Sequence, residues 1–143
     1  VTHHKIFTIV RNPYTRLVSF FNEFKRDMNI PHLTLNEFIT NSDICEGLKM
    51  IPYNIFSLNM NQLDFFLSID NHISLDKFYK MEDELEKVEK FFNIKDINLH
   101  KHNSSCYDRN YKDIFTDEII SWVQMNYKKD FDYFNYNLDP FWL

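Results

Sequence analysis

The chain has 143 residues, 44% of them hydrophobic and 17% aromatic, which excludes a disordered chain and predicts one domain with a sizeable core. Its net charge of −5 excludes a general nucleic-acid-binding protein, which would carry a basic face, but allows a basic pocket for one nucleotide. No apolar run reaches the roughly 18 residues of a membrane span. The two cysteines, Cys45 and Cys106, lack metal-ligand spacing and can pair or stay free.

The first predicted elements are a strand and a helix that follows it directly. Ile6 to Val10 is a short apolar, β-branched run, typical of a strand covered on both faces in a parallel sheet. Asn12 is a favoured N-cap, and Pro13 suits the first position of a helix. We therefore expect a sharp strand-to-helix turn with Arg11 at the carboxyl end of the strand.

The helix after this turn has a predicted core stripe and a predicted polar face. In open α/β sheets, ligands bind beyond the carboxyl ends of strands, and a helix N-terminus offers free N–H groups to an anion. The guanidinium of Arg11 and the hydroxyl of Ser19 would suit a phosphate there. The alternative is an ordinary helix start with a surface arginine and serine. The predicted stripe is Tyr14, Leu17, Val18, Phe21 and Phe24, and the predicted polar face is Asn12, Arg16, Ser19 and Glu23.

This segment resembles the 3′-phosphate-binding motif of PAPS-dependent sulfotransferases, the carbohydrate-directed group that includes the chondroitin and heparan sulfate enzymes. In that family the first arginine and the serine hold the 3′-phosphate of the sulfonate donor PAPS (3′-phosphoadenosine 5′-phosphosulfate). The resemblance implies the same role for Arg11 and Ser19, and an α/β fold with a mainly parallel sheet flanked by helices, similar to P-loop proteins. The matching pattern is Arg11-x-Pro13-x-x-Arg16-Leu17-Val18-Ser19.

The middle of the chain carries weaker local signals. Thr34 and Glu37 form a capping-box pattern, which predicts a short helix from Leu35 to Ile39. Ile44 to Tyr53 is expected to be a loop, because it contains a glycine and a proline. A turn is expected at residues 68 to 72.

A second strand is predicted at Lys77 to Lys80, followed by a helix with an acidic first turn at Met81 to Glu84. A strand that ends in a basic residue, an apolar residue and a glutamate before an acidic helix resembles a sulfotransferase segment. The same combination recurs in many α/β proteins, so alone it counts for little. The predicted core stripe of this helix is Leu85, Val88, Phe91 and Phe92.

The polar stretch from Leu99 to Ser105 resembles the sulfotransferase loop Leu-Pro-His-x-Asn-x-Ser, which closes near the donor nucleotide. Leu99, Asn103 and Ser105 match, whereas His100 replaces the proline and Lys101 the histidine. A lysine and hydroxyls still suit phosphate oxygens. The resemblance therefore adds further binding candidates, which are Lys101, Ser104 and Ser105.

Other interpretations of this stretch stay open. It can be a solvated loop, and Asn103-Ser104-Ser105 is also a sequon for N-glycosylation, which would crowd a nucleotide. His100 and His102 stand two apart without a neighbouring cysteine or acidic cluster, which does not favour a metal site. We expect no metal cofactor.

The last long helix is predicted from its cap. Thr116 can cap it, Asp117 and Glu118 lie in its first turn, and Lys128-Lys129 mark its end. The following residues resemble the sulfotransferase ending Tyr-x-x-Asp-Phe-x-x-Phe-x-Tyr, and its aromatic side chains are expected to pack. The predicted buried side is Ile119, Ile120, Trp122, Val123 and Tyr127, and the matching ending is Tyr127, Asp130, Phe131, Phe134 and Tyr136.

The resemblance covers most of the chain, but only the carboxyl-terminal portion of a full enzyme. The family's loop for the 5′-phosphosulfate needs glycine or small residues beside Lys and Ser/Thr, and the single glycine, Gly47, gives no convincing candidate. In the family this loop precedes the strand that corresponds to Ile6 to Val10. We therefore expect either that the sequence is a fragment of a longer enzyme or that the sulfotransferase activity has been lost. The catalytic base usually precedes this strand too. His3 and His4 are the candidates for that base, unless they are exposed end residues.

Three functions are compatible with the sequence. The favoured one is a PAPS-dependent sulfotransferase that transfers a sulfonate group to a hydroxyl acceptor, by resemblance a carbohydrate. The second is a non-catalytic nucleotide-binding or interaction module with the same fold. The third, a P-loop kinase relative, would need a Walker-type glycine loop, which the sequence does not show. None of the three calls for nucleic acid as a partner.

Overall fold

A computed structural model describes residues 7–41, 60–64, 77–93 and 113–140. Besides a helical turn at 62–64, these ranges contain two strands and five helices. Within them, no helix combines the length and apolar character needed to cross a lipid bilayer. In chain order the elements are β1 (Phe7–Val10), α1 (Pro13–Asp27), α2 (Leu35–Thr40), β2 (Lys77–Lys80), α3 (Leu85–Phe92), α4 (Asp117–Asn126) and α5 (Lys128–Phe134).

The two strands pair in parallel, with Phe7 opposite Lys77 and Val10 opposite Lys80. This confirms the strand predicted at Lys77 to Lys80 and the parallel direction. Most of the described residues are helical, and the described part of the sheet has these two strands only. The wider α/β sheet of the sulfotransferase type stays a prediction.

The two faces of the strand pair are covered to different extents. On one face Val10 is fully buried, and the Phe78 ring packs edge-on against Phe134 of α5 at 5.0 Å between centroids. On the other face the Phe7 ring lies 4.9 Å from that of Phe92 in α3, while Ile9 is 40% exposed. The expectation of a strand covered on both faces is therefore met at Val10 but not at Ile9.

Helix α1 supplies the centre of the core, since all five residues of its predicted stripe are buried. They pack with residues of α2, α4 and α5 in one cluster, and the Tyr14 ring lies 5.2 Å from Phe115 and 5.4 Å from Phe131. The helix ends at Asp27, after Lys25 and Arg26, and Asn29 then takes a left-handed conformation (φ 53°), which asparagine tolerates better than most residues.

Helix α3 differs from its prediction in two ways. The first difference is that the helix begins at Leu85, since residues 81–83 form a turn. The Glu84 carboxylate accepts hydrogen bonds from Lys87 Nζ (2.7 Å) and from Lys80 N–H (2.8 Å). These bonds lower the pKa of Glu84. Of the predicted core stripe only Val88 is buried, whereas Phe91 and Phe92 are 54% and 43% exposed and contact the Phe7 ring.

The predicted last helix is two helices. Thr116 caps α4 by accepting a hydrogen bond from Ile119 N–H, as expected, but α4 ends at Asn126 and α5 follows after Tyr127. The aromatic ending is therefore partly helical, and Phe131 and Phe134 are buried as expected. Of the predicted buried side of α4, Ile119, Val123 and Tyr127 are buried, whereas Ile120 and Trp122 are only half-buried.

The capping box at α2 is confirmed. Thr34 Oγ1 accepts a hydrogen bond from Glu37 N–H (3.2 Å), and Glu37 Oε2 accepts one from Thr34 N–H (2.8 Å). The Thr34 hydroxyl also donates to Glu37 Oε2 (2.7 Å), and the two hydrogen bonds from Thr34 to this carboxylate lower the pKa of Glu37. Both ends of the box lie on the surface, while Leu35, Phe38 and Ile39 enter the core.

Replacing the cap should destabilise the protein measurably. We expect Thr34→Ala to lower the free energy of unfolding by about 1 kcal/mol, because it leaves the Glu37 N–H without its acceptor. Thr40→Ala is the matched control, because Thr40 is exposed on the same helix and its hydroxyl donates to Asn36 O (2.7 Å) at the other end of α2. Urea denaturation measures both changes, and equal effects of the two substitutions would contradict the capping role.

Candidate functional site

Arg11 follows β1 directly, and both of its backbone groups bond to one side chain. Its N–H donates to Gln62 Oε1 (2.9 Å), and its carbonyl accepts from Gln62 Nε2 (2.7 Å). Its side chain is half-buried, and Nε donates to Thr15 Oγ1 (3.3 Å). The guanidinium therefore extends along the first turn of α1.

Arg11, Thr15 and Ser19 follow one another at intervals of four residues. Residues four apart are neighbours on a helix surface, so the three line one side of the turn and of α1. Thr15 Oγ1 accepts from Arg11 Nε and donates to Asn12 O (3.1 Å), and the half-buried Ser19 lies one helical turn further on. The structure thus places the Arg11 side chain on the side of α1 that carries Ser19, with Thr15 between them.

Sequence reasoning missed Thr15 as part of this group. It belongs to no part of the motif, and its side chain is 8% exposed. Thr15 stands four residues from both Arg11 and Ser19, and this spacing could have indicated that it lies between them on the same side of the helix.

Two N–H groups at the start of α1, those of Asn12 and Tyr14, do not stand free, which corrects the expectation of an open helix N-terminus. Asn12 N–H donates to Glu82 Oε1 (2.7 Å), and Tyr14 N–H donates to Asn12 Oδ1 (2.9 Å). A carboxylate is the group that the positive end of a helix dipole favours. An anion at this corner would therefore depend mainly on the side chains of Arg11 and Ser19, because the Thr15 hydroxyl already donates to Asn12 O.

Glu82 also joins the carboxyl end of β1 to the segment after α5. The Tyr136 hydroxyl lies 3.1 Å from Glu82 Oε2 and 3.2 Å from Val10 O, and Met81 N–H also donates to Val10 O (2.8 Å). Burial, reinforced by Glu82, raises the pKa of Tyr136. The Lys80 ammonium stacks on the Tyr136 ring at 4.6 Å from its centroid. Glu82 was predicted in the first turn of a helix, but it caps α1 instead.

Arg16 is buried, with 9% exposure, and does not lie on a polar face as predicted. Its Nη1 donates to Met60 O (2.8 Å) and lies 3.6 Å from Asp130 Oδ2. Its guanidinium also stacks on the rings of Phe20 (5.4 Å) and Tyr127 (5.1 Å). Burial lowers the pKa of Arg16, and Tyr127 and Asp130 oppose this effect. These contacts give Arg16 a structural role.

Asp130 of α5 is fully buried and binds the helical turn at 62–64. Its Oδ2 accepts from Gln62 N–H (2.8 Å), and its Oδ1 accepts from Leu63 N–H (3.0 Å). The carboxylate thus caps that turn while it pairs with Arg16. Sequence reasoning placed Asp130 only in the aromatic ending, where nothing marked it as a buried charge.

The remaining candidates lie outside the described residues. Among the residues that the structure describes, no three His, Cys, Asp or Glu side chains gather as metal ligands would. The expected loop at Ile44 to Tyr53 and the turn at 68 to 72 are likewise not described. The undescribed candidates are His3, His4, Lys101, Ser104 and Ser105, together with Cys45, Cys106, His100, His102 and Asn103.

Comparison of the chain with protein-family models, with curated proteins and with solved structures found no match. The function is therefore inferred from the residues themselves. The described corner combines a guanidinium with two hydroxyls beside a helix start at which the N–H groups of Asn12 and Tyr14 are already bonded.

Removing the buried charge of Asp130 should be costly. We expect Asp130→Asn to lower the free energy of unfolding by about 3 kcal/mol, because Arg16 loses its buried counter-charge and one N–H of the 62–64 turn loses its acceptor. Thermal and urea denaturation measure the change.

The matched control for this prediction is Asp132→Asn on the same helix. Asp132 pairs with Lys128 at the surface, and exposed pairs of this kind contribute about 0.5 kcal/mol. If Asp130→Asn and Asp132→Asn lowered the free energy of unfolding by similar amounts, the buried charge of Asp130 would contribute no more to stability than an exposed one.

Proposed function

We propose that this chain is the 3′-phosphoadenosine-binding part of a PAPS-dependent sulfotransferase, which transfers a sulfonate group from PAPS to a hydroxyl acceptor, by resemblance a carbohydrate. The observation that carries the proposal is the placement of Arg11. It lies at the carboxyl end of a parallel strand, and its guanidinium contacts Thr15 one helical turn before Ser19. The motif resemblance assigns Arg11 and Ser19 to the 3′-phosphate, and this geometry is compatible with that role.

The chemistry of the corner favours a phosphate bound by side chains. A guanidinium offers a planar fork of donors, and the Ser19 hydroxyl adds a donor beside it. A Walker-type loop instead binds phosphates through free backbone N–H groups. Here Asn12 N–H and Tyr14 N–H are bonded to Glu82 and Asn12. This contrast favours a sulfotransferase-type 3′-phosphate site over a P-loop kinase site.

The second arginine of the motif supports the same assignment. Arg16 lies against Asp130 and two aromatic rings inside the core, so it is not proposed as a ligand. This leaves the first arginine of the motif as the proposed cation, which is the role that the resemblance gives it.

The proposed reaction is an in-line displacement at sulfur. The acceptor oxygen forms a bond to sulfur while the bond from sulfur to the bridging oxygen of PAPS breaks, and that oxygen leaves with the electron pair as part of PAP. A base takes the proton of the acceptor hydroxyl. Arg11 and Ser19 would hold the donor by a phosphate that does not react, so that its binding energy positions the sulfonate. His3 and His4 stay the predicted bases.

A second candidate is a nucleotide-binding module without catalysis. The observation that favours it is the single glycine of the sequence, which gives no convincing candidate for a glycine-rich 5′-phosphosulfate loop within these 143 residues. Release of PAP from PAPS in the presence of sugar acceptors distinguishes the enzyme from the module, because the module binds the nucleotide without turnover.

Calorimetric titration with PAP and with ADP tests the site, because the 3′-phosphate is what sets PAP apart from ordinary adenine nucleotides. Loss of a charge-assisted hydrogen bond is worth roughly 1.5–3 kcal/mol, so Arg11→Ala should weaken PAP binding by about ten- to a hundredfold. Ser19→Ala should weaken it by about fivefold, as one neutral hydrogen bond contributes about 1 kcal/mol. ADP binding should change little in both variants.

Arg26→Ala is the matched control, since Arg26 lies in the last turn of α1 and contacts Asp27 at the surface. It should leave PAP binding unchanged. The proposal is wrong if the unmodified chain binds PAP no better than ADP, or if Arg11→Ala leaves the preference for PAP intact.

A further inference from the structure

The amide of Gln62 acts on Arg11 as a neighbouring strand would. It accepts from Arg11 N–H and donates to Arg11 O, at 2.9 and 2.7 Å, immediately after β1 has ended. Two hydrogen bonds from one planar group fix the peptide groups on both sides of the Arg11 Cα. The point from which the Arg11 side chain departs is therefore set by a residue far along the chain.

Gln62 is itself fixed from two directions. Its backbone N–H donates to Asp130 Oδ2 (2.8 Å), and its side-chain Nε2 lies 3.3 Å from the same oxygen. Asp64, two residues on, pairs with Lys129 at the surface (2.7 Å). The Gln62 amide thus lies between a fully buried carboxylate and the backbone of Arg11.

Arg11 is consequently fixed by two sets of hydrogen bonds: Gln62 bonds to its backbone, and Thr15 accepts from its Nε. Holding a ligand-binding side chain in place before the ligand arrives reduces the ordering cost of binding. We propose that Gln62 is a positioning residue that orients Arg11 for the 3′-phosphate. This role rests on the proposed function and names a residue that the motif does not contain.

The side chain of Gln62 can be tested apart from the segment that carries it. Gln62→Met keeps the length of the side chain but loses both bonds to Arg11, while the backbone N–H groups of residues 62 and 63 still reach Asp130. We expect PAP affinity to fall by about five- to tenfold, and the Arg11 amide to exchange with solvent about tenfold faster. Calorimetry and NMR hydrogen exchange measure these two effects.

The control variant is Asp64→Asn, which removes the pair with Lys129 on the same segment without touching Arg11. It should change neither PAP affinity nor the exchange of the Arg11 amide. A double-mutant cycle adds a readout that a purely structural role would not give. If Gln62 acts through Arg11, Gln62→Met should cause no further loss of PAP affinity in an Arg11→Ala background.

The inference is overturned if Gln62→Met lowers PAP affinity equally in the unmodified chain and in the Arg11→Ala variant. It is also overturned if Gln62→Met leaves the PAP affinity of the unmodified chain unchanged. If the variant does not fold, the unmodified chain still gives an answer, because adding PAP should shift the NMR resonances of the Gln62 side-chain amide together with the Arg11 N–H. Gln62 side-chain resonances that do not shift when PAP is added would contradict the positioning role of Gln62. If the unmodified chain binds PAP no better than ADP, the proposed function is contradicted instead. The hydrogen exchange of the Arg11 amide in Gln62→Met then still shows whether Gln62 holds the Arg11 backbone.

Discussion

The described structure depends on one buried carboxylate. Asp130 is inaccessible to solvent, and such a charge is tolerated only when it is paired and hydrogen-bonded. It meets this condition with Arg16 from α1 and with two N–H groups of the 62–64 turn. Three separate stretches of the chain are therefore joined at a single side chain, and the turn it holds carries the glutamine that bonds to Arg11.

A second junction lies at the carboxyl ends of the strands. Glu82 caps the start of α1, and Tyr136 connects Glu82 with Val10. The Asp130 junction acts on Arg11 itself through Gln62, whereas the Glu82 junction acts on the two flanking residues, Val10 and Asn12. The proposed site is thus built on a backbone fixed by long-range contacts.

Local signals predicted much of the fold. The N-caps of α1, α2 and α4 and the buried stripe of α1 follow from neighbouring residues, and the structure has them. Burial of Arg16, the role of Gln62 and the exposure of Phe91 depend on partners distant in sequence, which periodicity does not reveal. At the candidate site, the motif named Arg11 and Ser19, whereas Gln62 could be found only from the structure.

The order in which the chain is synthesised has a consequence for this arrangement. The Arg11 peptide is synthesised long before Asp130, yet the side chain that holds it depends on Asp130. Domains generally fold as units during synthesis, but here local helices such as α1 can form early while the corner around Arg11 must wait for α5 to leave the ribosome. Nascent chains stalled before α5 would accordingly present the strand and helix of the motif without an assembled nucleotide site.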